Sequence, residues 1–147
     1  MNNDILMSIF ENKAIIATLI AWFIAQTMKV ILVSLKEKKI NLLSYFIPGG
    51  FPSSHSASVA ALSTVIGLET GFNSSIFAVS IAFTVFVLYD ASVLRRAAQK
   101  QAQSLNDLIE FIDLKGMEPL REVLGHSWVE ISAGCILGIL IGLIVLI

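Results

Sequence analysis

The sequence predicts an all-α integral membrane protein of about four transmembrane helices, with a cytoplasmic amphipathic helix between the third and the fourth. Three observations carry that expectation. Of 147 residues, 56% are hydrophobic and only 14% are charged, and the mean hydropathy is +0.82. A soluble domain of this size has more surface than so few charges can cover. Four apolar stretches alternate with polar ones, and the basic residues gather in two of the connecting segments.

Crossing the hydrocarbon takes roughly 20 mostly apolar residues as a helix. The first stretch, Ala14 to Leu35, meets that length and carries Lys29 in its last turns. The second, Pro52 to Leu68, is the shortest and is rich in Ser and Ala. Such small side chains suit a helix packed closely among others. Ser75 to Leu94 is interrupted only by Asp90, and Trp128 to Ile147 carries no charge after Glu130. Between these two, Ala97, Leu105, Leu108, Ile109 and Ile112 recur at a roughly helical spacing. The segment Arg96 to Ile112 therefore reads as a surface helix, lying along the membrane or capping the site. Lys115-Gly116 ends it, and Pro119 suits the first turn of the next helix. Residues 1–147 read as a single transmembrane domain.

Lys36, Lys38 and Lys39 follow the first span, and Arg95, Arg96, Lys100, Lys115 and Arg121 follow the third. The opposite face offers only Lys13. Because Lys and Arg are retained on the cytoplasmic side, both basic segments are expected there, in a multi-pass protein of the cell membrane. The first 13 residues lack the pattern of a secretory signal, so the N-terminus is expected to stay on the protein. A net charge of −1 argues against nucleic acid as a partner. With one cysteine, Cys135, there is no thiolate cluster to hold zinc or iron, and neither a metal nor a cofactor is expected. Gly134, Gly138 and Gly142 form a small-xxx-small face. It is expected to pack within the monomer, with a homodimer seam as the second reading.

Both histidines stand at the start of a span: His55 in Pro52-Ser53-Ser54-His55-Ser56, and His126 four residues before Glu130. With four spans, the second and fourth helices start at the same face. Their N-termini present free N–H groups and positive dipole ends there, a natural place for phosphate. Lys29, Lys36, Arg95 and Arg96 arrive at that face by topology alone. Ser127-x-x-Glu130 is also a capping box, which explains those two residues without chemistry. It does not explain His126. Lys29 is deep enough in an apolar span to be a functional candidate by default. Asp90 is expected to pair with Arg95 or another basic side chain.

Pro52-Ser53-Ser54-His55 resembles the Pro-Ser-Gly-His motif of the type-2 phosphatidic acid phosphatase superfamily, which includes the vanadium haloperoxidases. Arg121 followed by His126-x-x-x-Glu130 resembles its third motif, and Lys29 with Lys36 resembles its first. The likeness is closest to a divergent branch described as acid phosphatase/vanadium-dependent haloperoxidase-related. Gly50 to Ser56, Tyr89 to Ala102 and Leu124 to Gly134 match segments that recur together in that branch. The likeness spans about Gln26 to Gly138. Five positions depart from the wider pattern: Lys36 for Arg, Glu37 for Pro, Ser54 for Gly, Leu120 for Ser, and Arg121 one residue too near His126.

The resemblance implies a metal-independent phosphatase acting on a lipid phosphate through a phosphohistidine. His126 would be the nucleophile, held in its tautomer by Glu130, and His55 the acid and base. Lys29, Ser53, Ser54, Arg95, Arg96 and Arg121 would bind the phosphoryl oxygens. Phosphatidylglycerol phosphate, phosphatidate and polyprenyl phosphates are the expected substrates. The competing reading is a non-catalytic membrane module that binds anionic lipid or a partner protein. A small transporter ranks last, since no polar pathway is evident in the spans.

Overall fold

The protein's structure, a computed structural model, describes residues 2–40, 45, 49–112, 116–120, 122 and 125–147. Among these, the elements are α1 (Asn2–Glu11), α2 (Lys13–Glu37), α3 (Ser54–Thr70), α4 (Ser75–Tyr89), a π-helical turn (Asp90–Leu94), α5 (Arg95–Phe111) and α6 (Trp128–Leu146). The short helix α1 was not expected from the sequence. Asn12 separates it from α2, its side chain accepting the Ile15 amide at 3.1 Å as an N-cap. Ser53, Ser74 and Ser127 cap α3, α4 and α6 in the same way.

Three helical runs are long and apolar enough to cross a membrane: Lys13–Glu37, Ser75–Phe111 and Trp128–Leu146. The second expected span, α3, has 17 residues, about 26 Å at 1.5 Å per residue, a little under the roughly 30 Å of the hydrocarbon core. It is the hub of the protein, packed against α2, α4 and α6. A helix covers Arg95–Phe111, close to the expected Arg96 to Ile112, but it is not a separate element. No Gly or Pro interrupts the chain between Ser75 and Phe111, so α4, the π turn and α5 run on as one helix of 37 residues. Ala102 is the one buried residue of α5.

What is buried and what is exposed are inverted relative to a soluble domain. The core is built of Ala14, Ala17, Ala21 and Ala25 of α2 against Ala57, Ala61 and Val65 of α3 and Ile141 of α6. Leu19, Phe23, Phe83, Phe86, Leu140 and Ile144 point outward. Small side chains let helices approach where lipid, as apolar as leucine, provides no hydrophobic drive to associate. The glycine stripe of α6 does the same on α3. A Cβ on Gly134 would collide with the Ser53 carbonyl, one on Gly138 with the Ala57 carbonyl, and one on Gly142 would lie 2.8 Å from Thr64 Cβ. Both sets of numbers climb together, so α3 and α6 run parallel. The glycine face is thus taken up inside the monomer, by α3.

Candidate functional site

Parallel α3 and α6 bring their N-termini to one end of the bundle, where α2 finishes and α4 gives way to the π turn. His126, just before α6, is buried, and its amide donates to the Ala91 carbonyl of the π turn at 3.2 Å. Its Nδ1 lies 3.2 Å from Glu130 Oε2. The same carboxylate oxygen accepts the Ser127 amide at 2.8 Å, and Ser127 Oγ accepts the Glu130 amide at 3.3 Å. Glu130 therefore closes the capping box and orients the imidazole at once, leaving Nε2 as the ring's free nitrogen.

His55, the second residue of α3, lies exposed at the mouth of the site with its ring centroid 6.5 Å from that of His126. Its pKa is lowered from the ordinary 6.5, first by burial of the covered part of its ring, then by Arg95 and His126. Asp90 opposes the shift, and Lys29 adds to it. Arg95 Nε donates to Asp90 Oδ2 at 2.7 Å, as the charges in the sequence suggested. In an α-helix residues five apart diverge. The π turn, with its i to i+5 bonding, brings them together: Arg95 N donates to the Asp90 carbonyl. Among the described residues Arg95's remaining N–H groups have no partner, and its charge acts on His55.

Arg96 takes a different place. It shares with Gln99, Gly125, Ser127, Glu130 and His126 a cleft of about 240 Å³, on the carboxylate side of His126. Lys29 is buried near the end of α2, and its aliphatic chain lies across Gly50. A Cβ on Gly50 would sit 3.1–3.2 Å from the Lys29 methylenes, and its φ of +97° is one that glycine adopts freely. Arg121 lies outside the described residues.

Ser53 and Ser54 are both buried, with different uses. The Ser53 amide, expected to face phosphate, instead donates to the Glu130 carbonyl at 3.0 Å and ties α3 to α6. Its Oγ receives the Ser56 amide and hydroxyl at 3.4 and 3.0 Å. The Ser54 and His55 amides, in the first turn, have no partner among the described residues, as the opening amides of a helix do. They are the N–H groups this helix end offers to an anion. Among the described residues no group of three or more His, Cys, Asp or Glu converges as a metal site.

Two residues that sequence reasoning passed over support this arrangement from α5. Gln99 Oε1 accepts the Gly125 amide at 3.4 Å. Asn106 clasps the segment before His126: its Nδ2 donates to the Leu120 carbonyl at 2.8 Å and to Glu122 Oε1 at 2.7 Å, and its Oδ1 accepts the Leu120 amide at 2.7 Å. The signal was available, since Arg96, Gln99 and Asn106 fall on one helical face that the apolar pattern does not use.

A family model described as "Divergent PAP2 family" matches residues 10–141 of the chain. The chain is also similar to the uncharacterized membrane protein YuiD of Bacillus subtilis (strain 168), 36% identical over 152 residues that cover 94% of this chain and 96% of the relative. No solved structure matches the chain.

Proposed function

The chain belongs to the divergent PAP2 family, and from that premise we propose that it hydrolyses a lipid phosphate, a monoester or pyrophosphate, through a phosphohistidine. One observation carries the reading: two imidazoles 6.5 Å apart at one end of a helix bundle, one of them held through Nδ1 by a carboxylate. A phosphoryl group between the rings meets His126 Nε2 on one side and places its ester oxygen toward His55.

In the first step Nε2 attacks phosphorus, the P–N bond forms and the P–O bond to the lipid breaks. His55 gives its proton to the departing alkoxide. Water then attacks phosphorus, His55 takes the proton, and the P–N bond breaks to release inorganic phosphate and restore His126. Glu130 stabilises the imidazolium character that grows on His126. The Arg95 guanidinium, the Lys29 ammonium and the Ser54 and His55 amides hold the phosphoryl oxygens, whose charge peaks in the transition state. Arg96 is placed to assist from the cleft beside Glu130.

Lys36, Lys38, Lys39, Arg95, Arg96 and Lys100 crowd the site end, so by the retention of basic residues that end faces the cytoplasm. Lipids built on the cytoplasmic leaflet are then the substrates: phosphatidylglycerol phosphate, phosphatidate or a polyprenyl phosphate. Phosphate release by the purified protein from such a panel in EDTA, beside a His126→Ala control, tests the reading. Release that survives chelation and disappears in the variant supports it. If the folded protein releases no phosphate but binds the same lipids equally with and without His126, it is a binding module instead.

A further inference from the structure

Helices α4 and α6 both pack on α3, yet below the π turn they stand apart from each other. The gap forms an open groove of about 430 Å³ with Ala60 and Thr64 of α3 on its floor. Ile81 and Thr84 of α4 form one wall, and Cys135 and Ile139 of α6 the other. The hydroxyls around it are taken up by the helices themselves. Ser63 Oγ donates to the Ser80 carbonyl and pairs with Thr84 Oγ1 at 2.9 Å, while Thr64 Oγ1 donates to the Ala60 carbonyl at 2.7 Å. The groove therefore offers methyl and methylene surface beside the Cys135 thiol, and these hydroxyls already have partners.

Its two ends differ. Toward the site the α6 wall continues through Ser132 to Trp128 in helical steps, ending two residues from His126. The floor begins at Ala60, five residues or about 7.5 Å along α3 from His55. The other end is closed. The Phe72 and Phe77 rings meet edge to face with centroids 5.1 Å apart, seated over Gly67, where a Cβ would come within 2.6 and 2.9 Å of them. From Ala60 to Leu68 the groove's lining on α3 runs eight residues, about 12 Å.

We propose that this groove seats one hydrocarbon tail of the lipid whose phosphate lies between His55 and His126, and that the Phe72–Phe77 pair limits its depth. The headgroup's position rests on the phosphatase reading above. A groove in a bilayer gains nothing by hydrophobic burial alone, because surrounding lipid is equally apolar. Only a tail tethered by a phosphate at the site has reason to prefer it, so the occupant is the substrate's own tail and not a bystander lipid.

The test uses non-hydrolysable single-chain alkylphosphonates carrying a diazirine at successive carbons, photolysed with the full-length protein in phosphatidylcholine vesicles. Labelled residues are located by mass spectrometry. The expected result is a depth register: probes near the phosphonate label around Cys135, and probes near the chain end label around Leu143 and Phe77. Ala60→Phe, which fills the floor, removes that register, and Cys135→Phe does so from the wall if the first variant does not fold. Labels scattered over outward residues such as Phe83 and Leu140, without depth order or indifferent to both variants, overturn the proposal. The two readings fail separately. A depth register with no phosphate release sinks turnover and leaves the groove, whereas release without a register sinks the groove and leaves the phosphatase.

Discussion

His126 Nδ1 and Glu130 Oε2 lie 3.2 Å apart, and that oxygen also holds the Ser127 amide at 2.8 Å. One carboxylate thus serves a helix cap and an imidazole, and the two services separate by mutation. Ser127→Ala removes the hydroxyl that accepts the Glu130 amide and costs about 1 kcal/mol of stability. It leaves the carboxylate beside His126, so kcat stays near wild type. Glu130→Gln keeps an oxygen for the cap but removes the charge that steadies the imidazolium, and kcat falls by about a hundredfold or more. Thermal unfolding in detergent and single-substrate kinetics on the two variants check both statements. Equal loss of kcat in both would reduce Glu130 to a capping residue.

On the proposed mechanism, His55 sets the pH dependence. It must carry a proton to protonate the leaving oxygen, and its pKa lies below the ordinary 6.5 because burial and the neighbouring Arg95 disfavour the charged ring. The protonated fraction of the free protein therefore falls as pH rises through that lowered value. kcat/KM for a lipid phosphate is expected to decline on the same limb, giving an optimum on the acid side of neutrality. Asp90 opposes the shift, so Asp90→Asn is expected to move the limb to still lower pH. A pH profile of kcat/KM that rises toward alkali would remove His55 as the acid.

Asn106 acts on the site from a distance. Its three hydrogen bonds, 2.7–2.8 Å long, hold Leu120 and Glu122 against α5, and the chain from there leads directly to His126. Asn106→Ala frees that strap and is expected to lower kcat severalfold with little change in KM, since the cations proposed to hold phosphate, Lys29 and Arg95, do not lie on the strapped segment. Asn106→Gln carries the same amide on a longer stem and is expected to restore part of the loss. A variant that raises KM alone would mean that the strap shapes binding and not the nucleophile's position.

The bundle and both histidines were legible because they rest on patterns that sequence states outright. Apolar length marked α2, α4 and α6 as spans, and Ser53 and Ser127 mark helix starts by hydrogen bonds local to the chain. The pairing of Asp90 with Arg95 was legible as charge, but the π turn that makes a five-residue separation work was not. Nor was the loss of the Ser53 amide to the Glu130 carbonyl, because that contact depends on how closely α6 approaches α3. The separate roles of Arg95 and Arg96 emerge only once the helix is known to run unbroken past both. Asn106 was overlooked for a related reason: its polar face was visible, but its partners, the Leu120 backbone and the Glu122 side chain, lie fourteen and sixteen residues away.

The glycine stripe links stability to chemistry in a graded way. Gly134 faces the Ser53 carbonyl and Ser56 Cβ, beside the cap that begins the His55 helix, whereas Gly142 faces the Thr64 side chain more than two turns further along. A methyl at either position pushes two tightly packed helices apart, at a cost of about 1–3 kcal/mol. Only at Gly134 does the displacement fall where α3 carries His55 and α6 carries Glu130. Gly134→Ala is expected to lose most activity even below its unfolding temperature, while Gly142→Ala loses stability with kcat largely kept. The comparison is made by measuring kcat well below each variant's midpoint. Equal kcat losses at matched stability would mean that the spacing of the two helices does not set the geometry of the histidine pair.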